Sequence, residues 1–160
     1  MKQFYICIGI FTALSISRFI PHPPNFTSLL ALSFYVPTLL GIRYLPVLLV
    51  SFAITDLIIG YHFGTHWTWG SVLLIGLIST YFKKNITLRI SGAMFGAVIF
   101  FLITNFGVWT TGQYGLNILG LKATYILAIP FFANSLISTI LFSFLIEEGY
   151  KLFNIKFKTS

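Results

Sequence analysis

Few residues in this chain are equipped for chemistry, and Asp56 is the sharpest of them. It is one of three acidic residues, with Glu147 and Glu148. A carboxylate in so apolar a sequence must be paired or wet. Asp56 therefore either pairs with Arg18 or receives a cationic or hydrogen-bond-donating group of a solute. Together with His22, His62 and His66 it offers imidazole and carboxylate groups of the kind that bind metal. The spacing from His62 to His66 aligns two ligands only on a helix, and the surrounding glycines argue for a loop, so no metal site is assigned. Asp56 and His62 as an acid–base pair would make a membrane enzyme. No serine or cysteine nucleophile with an adjacent base is evident, Cys7 lies far from any histidine, and we read the chain as a non-enzyme without a cofactor. The remaining set suits binding. An amide at Asn105 can orient a ligand while Trp67, Trp109 and Tyr114 stack on its ring, with His22, Asn25, Asp56, His62 and Asn134 as further contacts, the makeup of an apolar pocket with a few fixed polar groups.

The elements that must position these residues are set by composition. The 160 residues are 57% hydrophobic and 8% charged, and the mean hydropathy is +0.92. A soluble domain carries about 25% charged residues, so the chain is expected to be an all-α integral membrane protein. The net charge of +7 comes without a basic stripe interleaved with polar residues, which argues against nucleic acid as a partner and for membrane lipid. A single cysteine excludes an internal disulfide. No GxxxxGK[ST] loop is present, so active pumping would require a partner.

Six apolar segments, several of them short, can be cut from the sequence near 3–20, 26–41, 43–61, 68–83, 88–109 and 122–147. The first is expected to be retained as a helix, with Gly9, Ala13 and Ser17 forming a strip of small residues for close helix approach. Pro21, Pro23 and Pro24 forbid helix around His22 and Asn25. Pro37 predicts a kink in the second segment, and Gly92 with Gly96 a helix contact in the fifth. The mixed stretch 110–121 reads as a short re-entrant or surface helix. Residues 1–150 are expected to form one six-helix transmembrane domain, and 151–160 a cytoplasmic amphipathic tail.

Charge sets the expected orientation. With six spans, Lys2, Arg43, Lys83, Lys84, Arg89, Lys151, Lys156 and Lys158 share one side, and Arg18 and Lys122 the other. The positive-inside rule then places both termini in the cytoplasm. The Pro-His-Pro-Pro-Asn turn, Asp56 with His62 and His66, and Thr104-Asn105 with Trp109 would converge at the external face.

The strings Arg18 to Thr27, Asp56 to Gly60 with His62, Phe100 to Trp109, Tyr114 with Gly120-Leu121, and Pro130-Phe131-Phe132 resemble a bacterial family of unknown function described as candidate transport proteins. The resemblance covers nearly the whole chain; after Leu121, Lys122-Ala-Thr-Tyr125 replaces a Cys-Tyr pattern. That family is in turn similar to the S components of energy-coupling-factor (ECF) vitamin transporters. This implies a six-helix bundle in the bacterial cytoplasmic (inner) membrane, an external site for a small vitamin-like solute, and a transmembrane coupling subunit with ATPases that would dock on Gly9 and Ala13. The rival expectation is a structural membrane scaffold resembling rod-shape-determining proteins, with no solute transport.

Overall fold

The apolar segments fold as helices alone. The computed structural model describes residues 2–82 and 85–158, and no strand occurs among them. Helix α1 spans Lys2–Phe19, α2 Leu29–Tyr35, α3 Leu45–Ile59, α4 Thr65–Ser79, α5 Ile86–Thr110, α6 Ile118–Leu127 and α7 Ile129–Lys158. Between α2 and α3 the chain passes through a π-helical turn, Val36–Leu40, and a 3-10 turn, Ile42–Tyr44.

Among the described residues, three stretches are long and apolar enough to cross a membrane: Ile42–Ile59, Ile86–Thr110 and Ile129–Leu152. The other apolar helices are shorter: Gln3–Phe19, Leu29–Leu40 and Ile118–Leu127. At 1.5 Å per residue, the second of these reaches only about 18 Å against a hydrocarbon thickness of about 30 Å. The distribution of polarity is inverted relative to a soluble domain. Leu57, Phe63 and Leu119 are about 70% exposed, while Thr55, Ser71, Thr139 and Ser143 are fully buried. Such a surface is matched to lipid, and the buried hydroxyls mostly bond backward to their own helix, as Ser51 does to Val47 O at 2.8 Å and Ser71 to Trp67 O at 2.7 Å.

Helix α2 lies at the centre. All seven of its residues are buried, and it contributes to both apolar clusters. One joins Ile10 and Leu14 of α1 to Leu32, Leu48 and Val72; the other joins Leu30 and Phe34 to Ile75, Ala93 and Ala97. The kink expected at Pro37 is a π turn. Pro37 has no N–H for the carbonyl of Ser33, so the ladder widens there. The Thr38 hydroxyl satisfies Phe34 O at 2.7 Å and lies 3.2 Å from Ser79 O.

The segment expected at 122–147 is divided. Pro130 cannot donate to the carbonyl of Ile126, so α6 ends at Leu127 and α7 begins anew at Ile129. The short helix expected within 110–121 does not form there: residues 111–117 turn, and α6, begun by Asn117 Oδ1 accepting from Gly120 N–H at 2.9 Å, lies mostly in the stretch expected to open the last span. Helix α7 continues across residue 150, where a separate tail was expected; the amphipathic character of that tail rests on side chains outside the described ones, and Lys83 and Lys84, counted among the cations of one side, also lie outside the described residues. At this end Glu147, 1% exposed, takes a two-pronged bond from Arg89, with Nε to Oε1 at 2.6 Å and Nη2 to Oε2 at 2.7 Å, tying α5 to α7.

Glycines 92 and 96 do mediate packing. A Cβ on Gly92 would sit 2.6 Å from the Phe34 ring, and one on Gly96 2.9 Å from Ile75. Gly9, in contrast, has open space around its missing Cβ. Gly92→Ala is therefore expected to destabilise the detergent-solubilised protein by about 1–3 kcal/mol through overpacking, and Gly9→Ala to stay within about 0.5 kcal/mol of wild type. Parallel thermal unfolding of the two variants checks this, and equal losses would contradict the packing described.

Candidate functional site

One end of the bundle is built from chain that cannot be helical. After α1, the proline-rich turn closes through Phe26 N–H to Pro23 O at 3.0 Å and Thr27 N–H to Asn25 O at 3.2 Å, with Asn25 in the left-handed region at φ 63°. Asparagine tolerates that conformation better than most residues. The turn is pinned at two points. Ser17 and Ser28 hydroxyls meet at 2.7 Å, and Asn134 Nδ2 of α7 donates to Pro24 O at 3.0 Å. A second irregular segment follows α3, which stops at Gly60 with φ 129°. There His62 Nδ1 accepts from Gly64 N–H at 3.1 Å, and His62 N–H donates to Thr65 Oγ1 at 3.1 Å.

Asp56 holds three helices together. Its Oδ1 accepts from Arg18 Nη2 of α1 at 2.5 Å, and its Oδ2 from Trp69 Nε1 of α4 at 2.6 Å. Arg18 also donates to Thr55 Oγ1 at 2.9 Å and lies over the Phe52 ring at 4.6 Å. Asp56 is only 4% exposed, and each of its oxygens is engaged. Of the two alternatives for this carboxylate, the ion pair with Arg18 is present. Trp69, which sequence reasoning did not single out, completes the arrangement.

Beside this knot opens a cleft with two connected lobes. The larger, about 560 Å³, has an aromatic wall of Phe100, Phe101, Phe131 and Phe132. The Phe101 and Phe132 rings lie 4.5 Å apart. The cleft is also lined by Asn25, His62, Asn105 and Tyr114 among the expected residues, together with Thr68, Thr104, Gln113 and Thr124. Asn105 Nδ2 donates to Phe101 O at 2.7 Å, which leaves its Oδ1 without a partner among the described residues. The smaller lobe, about 250 Å³, is lined by Arg18, His22, Thr27 and Asp56, and shares Asn25, His62, Thr68, Phe100 and Ser135 with the larger. The one charged pair in the cleft is closed on itself, so the free groups are amides, hydroxyls, imidazoles and rings.

Other expected contacts serve the frame. Trp67 fills the space over Gly107, where any Cβ would collide with its indole, and meets Phe106 edge-on at 5.8 Å. Trp109 Nε1 reaches Asn117 O at 3.3 Å and so braces α5 against the start of α6. Asn134 is spent on the turn, and neither tryptophan lines the cleft. His22 Nδ1–H donates to Pro23 O at 2.7 Å within its own turn. His66 meets Phe63 edge-on at 5.9 Å and lies tilted beside Trp67 at 5.3 Å without lining the cleft, and no three His, Cys, Asp or Glu side chains gather as a metal-ligand group among the described residues. Gly9 and Ala13 line a separate apolar groove of about 890 Å³ between α1, α2 and α7. The missed wall was legible in part. Phe100, Phe101, Thr104, Asn105 and Val108 recur at the spacing of one helical face.

An all-helical chain with three membrane-length apolar helices, an apolar exterior and buried polar groups is a membrane protein. It belongs to a family described as "Family of unknown function (DUF6580)", whose model matches residues 1–160. No curated protein and no solved structure matches it.

Because Asp56 is buried and paired, removing either partner strands a charge, which costs about 3–5 kcal/mol, whereas apolar replacement of both is far less damaging. Arg18→Met and Asp56→Leu are each expected to lower the unfolding temperature sharply, and the double variant to recover most of the loss. A double variant no better than the worse single would show that the pair is not the source of the effect.

Proposed function

We propose that this chain is the solute-binding membrane component of a transporter, capturing a small vitamin-like or heteroaromatic molecule at the external face. The observation that carries the reading is the two-lobed cleft, whose lining combines a wall of phenylalanines with amides and hydroxyls that have spare hydrogen-bonding capacity. A flat ring stacks on such a wall while its heteroatoms bond Asn105, Thr104, His62 and Gln113. Since the Arg18–Asp56 pair is satisfied internally, the preferred solute carries no net charge.

In this reading the bundle crosses the bacterial cytoplasmic membrane six times, as in ECF S components, with both termini in the cytoplasm and the short helix α2 shielded by its neighbours. The distribution of cations supports that orientation. A partner transmembrane subunit with ATPases supplies the energy for release and docks along the apolar groove at Gly9 and Ala13. The scaffold reading draws its support from Asp56, Trp67, Trp109 and Asn134, all engaged in holding helices together.

Mass spectrometry of small molecules retained by the detergent-purified protein separates the two. A compound kept by wild type and by Trp109→Phe, but lost from Asn105→Ala and His62→Ala, is the expected result. Retention of nothing but lipid by all four proteins would favour the scaffold.

A further inference from the structure

A polar seam runs inside the bundle from the floor of the cleft to its opposite end. Ser135, Thr139, Ser143 and Glu147 recur every fourth residue on α7, and so stack along one face of that helix. All four are buried, with Thr139 and Ser143 at 0% exposure and Glu147 at 1%. Ser135 lines both lobes of the cleft, and Glu147 is held by Arg89 at the far end of the row.

The middle of the seam is unsatisfied. Ser135 donates back to Phe131 O at 3.0 Å, as hydroxyls in membrane helices do, but Thr139 Oγ1 and Ser143 Oγ make no hydrogen bond. The phenol oxygen of Tyr35, which comes from α2, faces Ser143 and Glu147 without a bond of good geometry to either. Buried oxygens held without a well-formed bond are costly unless something polar fills the gaps. Hydroxyls one helical turn apart lie about 6 Å apart along the axis, too far to bond directly and the right distance for one intervening water. Where Tyr35 ends α2, the backbone opens into the π turn Val36–Leu40, a local widening of the kind often found at functional positions.

We propose that this seam is a hydrated proton path joining the cleft to Glu147. A proton entering as hydronium at Ser135 passes along waters bridged by Thr139, Ser143 and Tyr35. At each step one O–H bond breaks as another forms, and the proton arrives on a carboxylate oxygen of Glu147. The neutral acid then loosens its hold on Arg89, and the proton leaves on the other side. The charged and titratable groups facing Glu147 are Arg89 from α5 and Tyr35 from α2, with Tyr150 nearby on α7 itself. The path is independent of the identity of any solute and does not rest on the transport reading.

The test uses the full chain reconstituted in phosphatidylethanolamine–phosphatidylglycerol vesicles containing trapped pyranine, with a potassium diffusion potential set by valinomycin. Wild type is expected to acidify the lumen several-fold faster than protein-free vesicles. The near-isosteric double variant Thr139→Val/Ser143→Ala, which keeps the Arg89–Glu147 pair intact, is expected to fall to the protein-free rate, and Tyr35→Phe to an intermediate one. Gel filtration and circular dichroism of each variant before reconstitution separate loss of path from loss of fold. A wild-type rate equal to that of empty vesicles overturns the proposal, as does a folded double variant that conducts like wild type.

Discussion

In an apolar surrounding a charge left without a partner is prohibitively costly, and the architecture of this protein follows from that constraint. Two of its three acids are buried, each answered by an arginine from another helix: Asp56 by Arg18 and Glu147 by Arg89. The pairs sit at opposite ends of the bundle, one tying α1, α3 and α4, the other α5 and α7. Between them runs α2, too short to cross a membrane alone but wholly enclosed by its neighbours. Its enclosure is accompanied at the Pro37 interruption by the Thr38 hydroxyl, which donates to Phe34 O and also reaches Ser79 O at the end of α4.

The cleft opens where helical regularity fails. Prolines 21, 23 and 24 end α1, Gly60 ends α3, and Gly112 and Gly115 turn the chain between α5 and α6, both with positive φ. Each break leaves backbone groups to be satisfied by side chains, and the residues that do so stand around the opening. Gly120 permits the closest of these approaches, since a Cβ there would collide with the backbone of Gly115. A site bounded by irregular backbone and floored by rigid helices holds polar groups in fixed positions at modest entropic cost, which is what recognition of a small solute requires.

The two ends differ in chemistry. At the cleft, the ion pair is locked by a third partner, Trp69, and takes a framing role. At the far end, Glu147 stands below a column of hydroxyls that its own helix does not satisfy. A protein able to stack leucines throughout its interior has instead kept a polar face on α7 from Ser135 to Glu147.

The sequence by itself determined the class of protein: its composition left no means of solvating a soluble surface, its prolines and glycines fixed where helices end, and the glycine pair at 92 and 96 marked a helix contact. Asn25, Asp56, His62, Asn105 and Tyr114 were legible as residues of one end because helix alternation brings every second connection to the same side. Only the tertiary structure decided what each does there. Whether a tryptophan stacks on a ligand or on Gly107, and whether Asn134 faces a cleft or clamps a turn, depends on helix rotation and depth, which local sequence does not encode. The division of 122–147 at Pro130, the aromatic wall of α5 and α7, and the partnership of Arg89 with Glu147 are of the same kind. They arise from contacts between residues tens of positions apart, and the free energy that selects them is that of packing and charge neutralisation, which exists only once the helices have met.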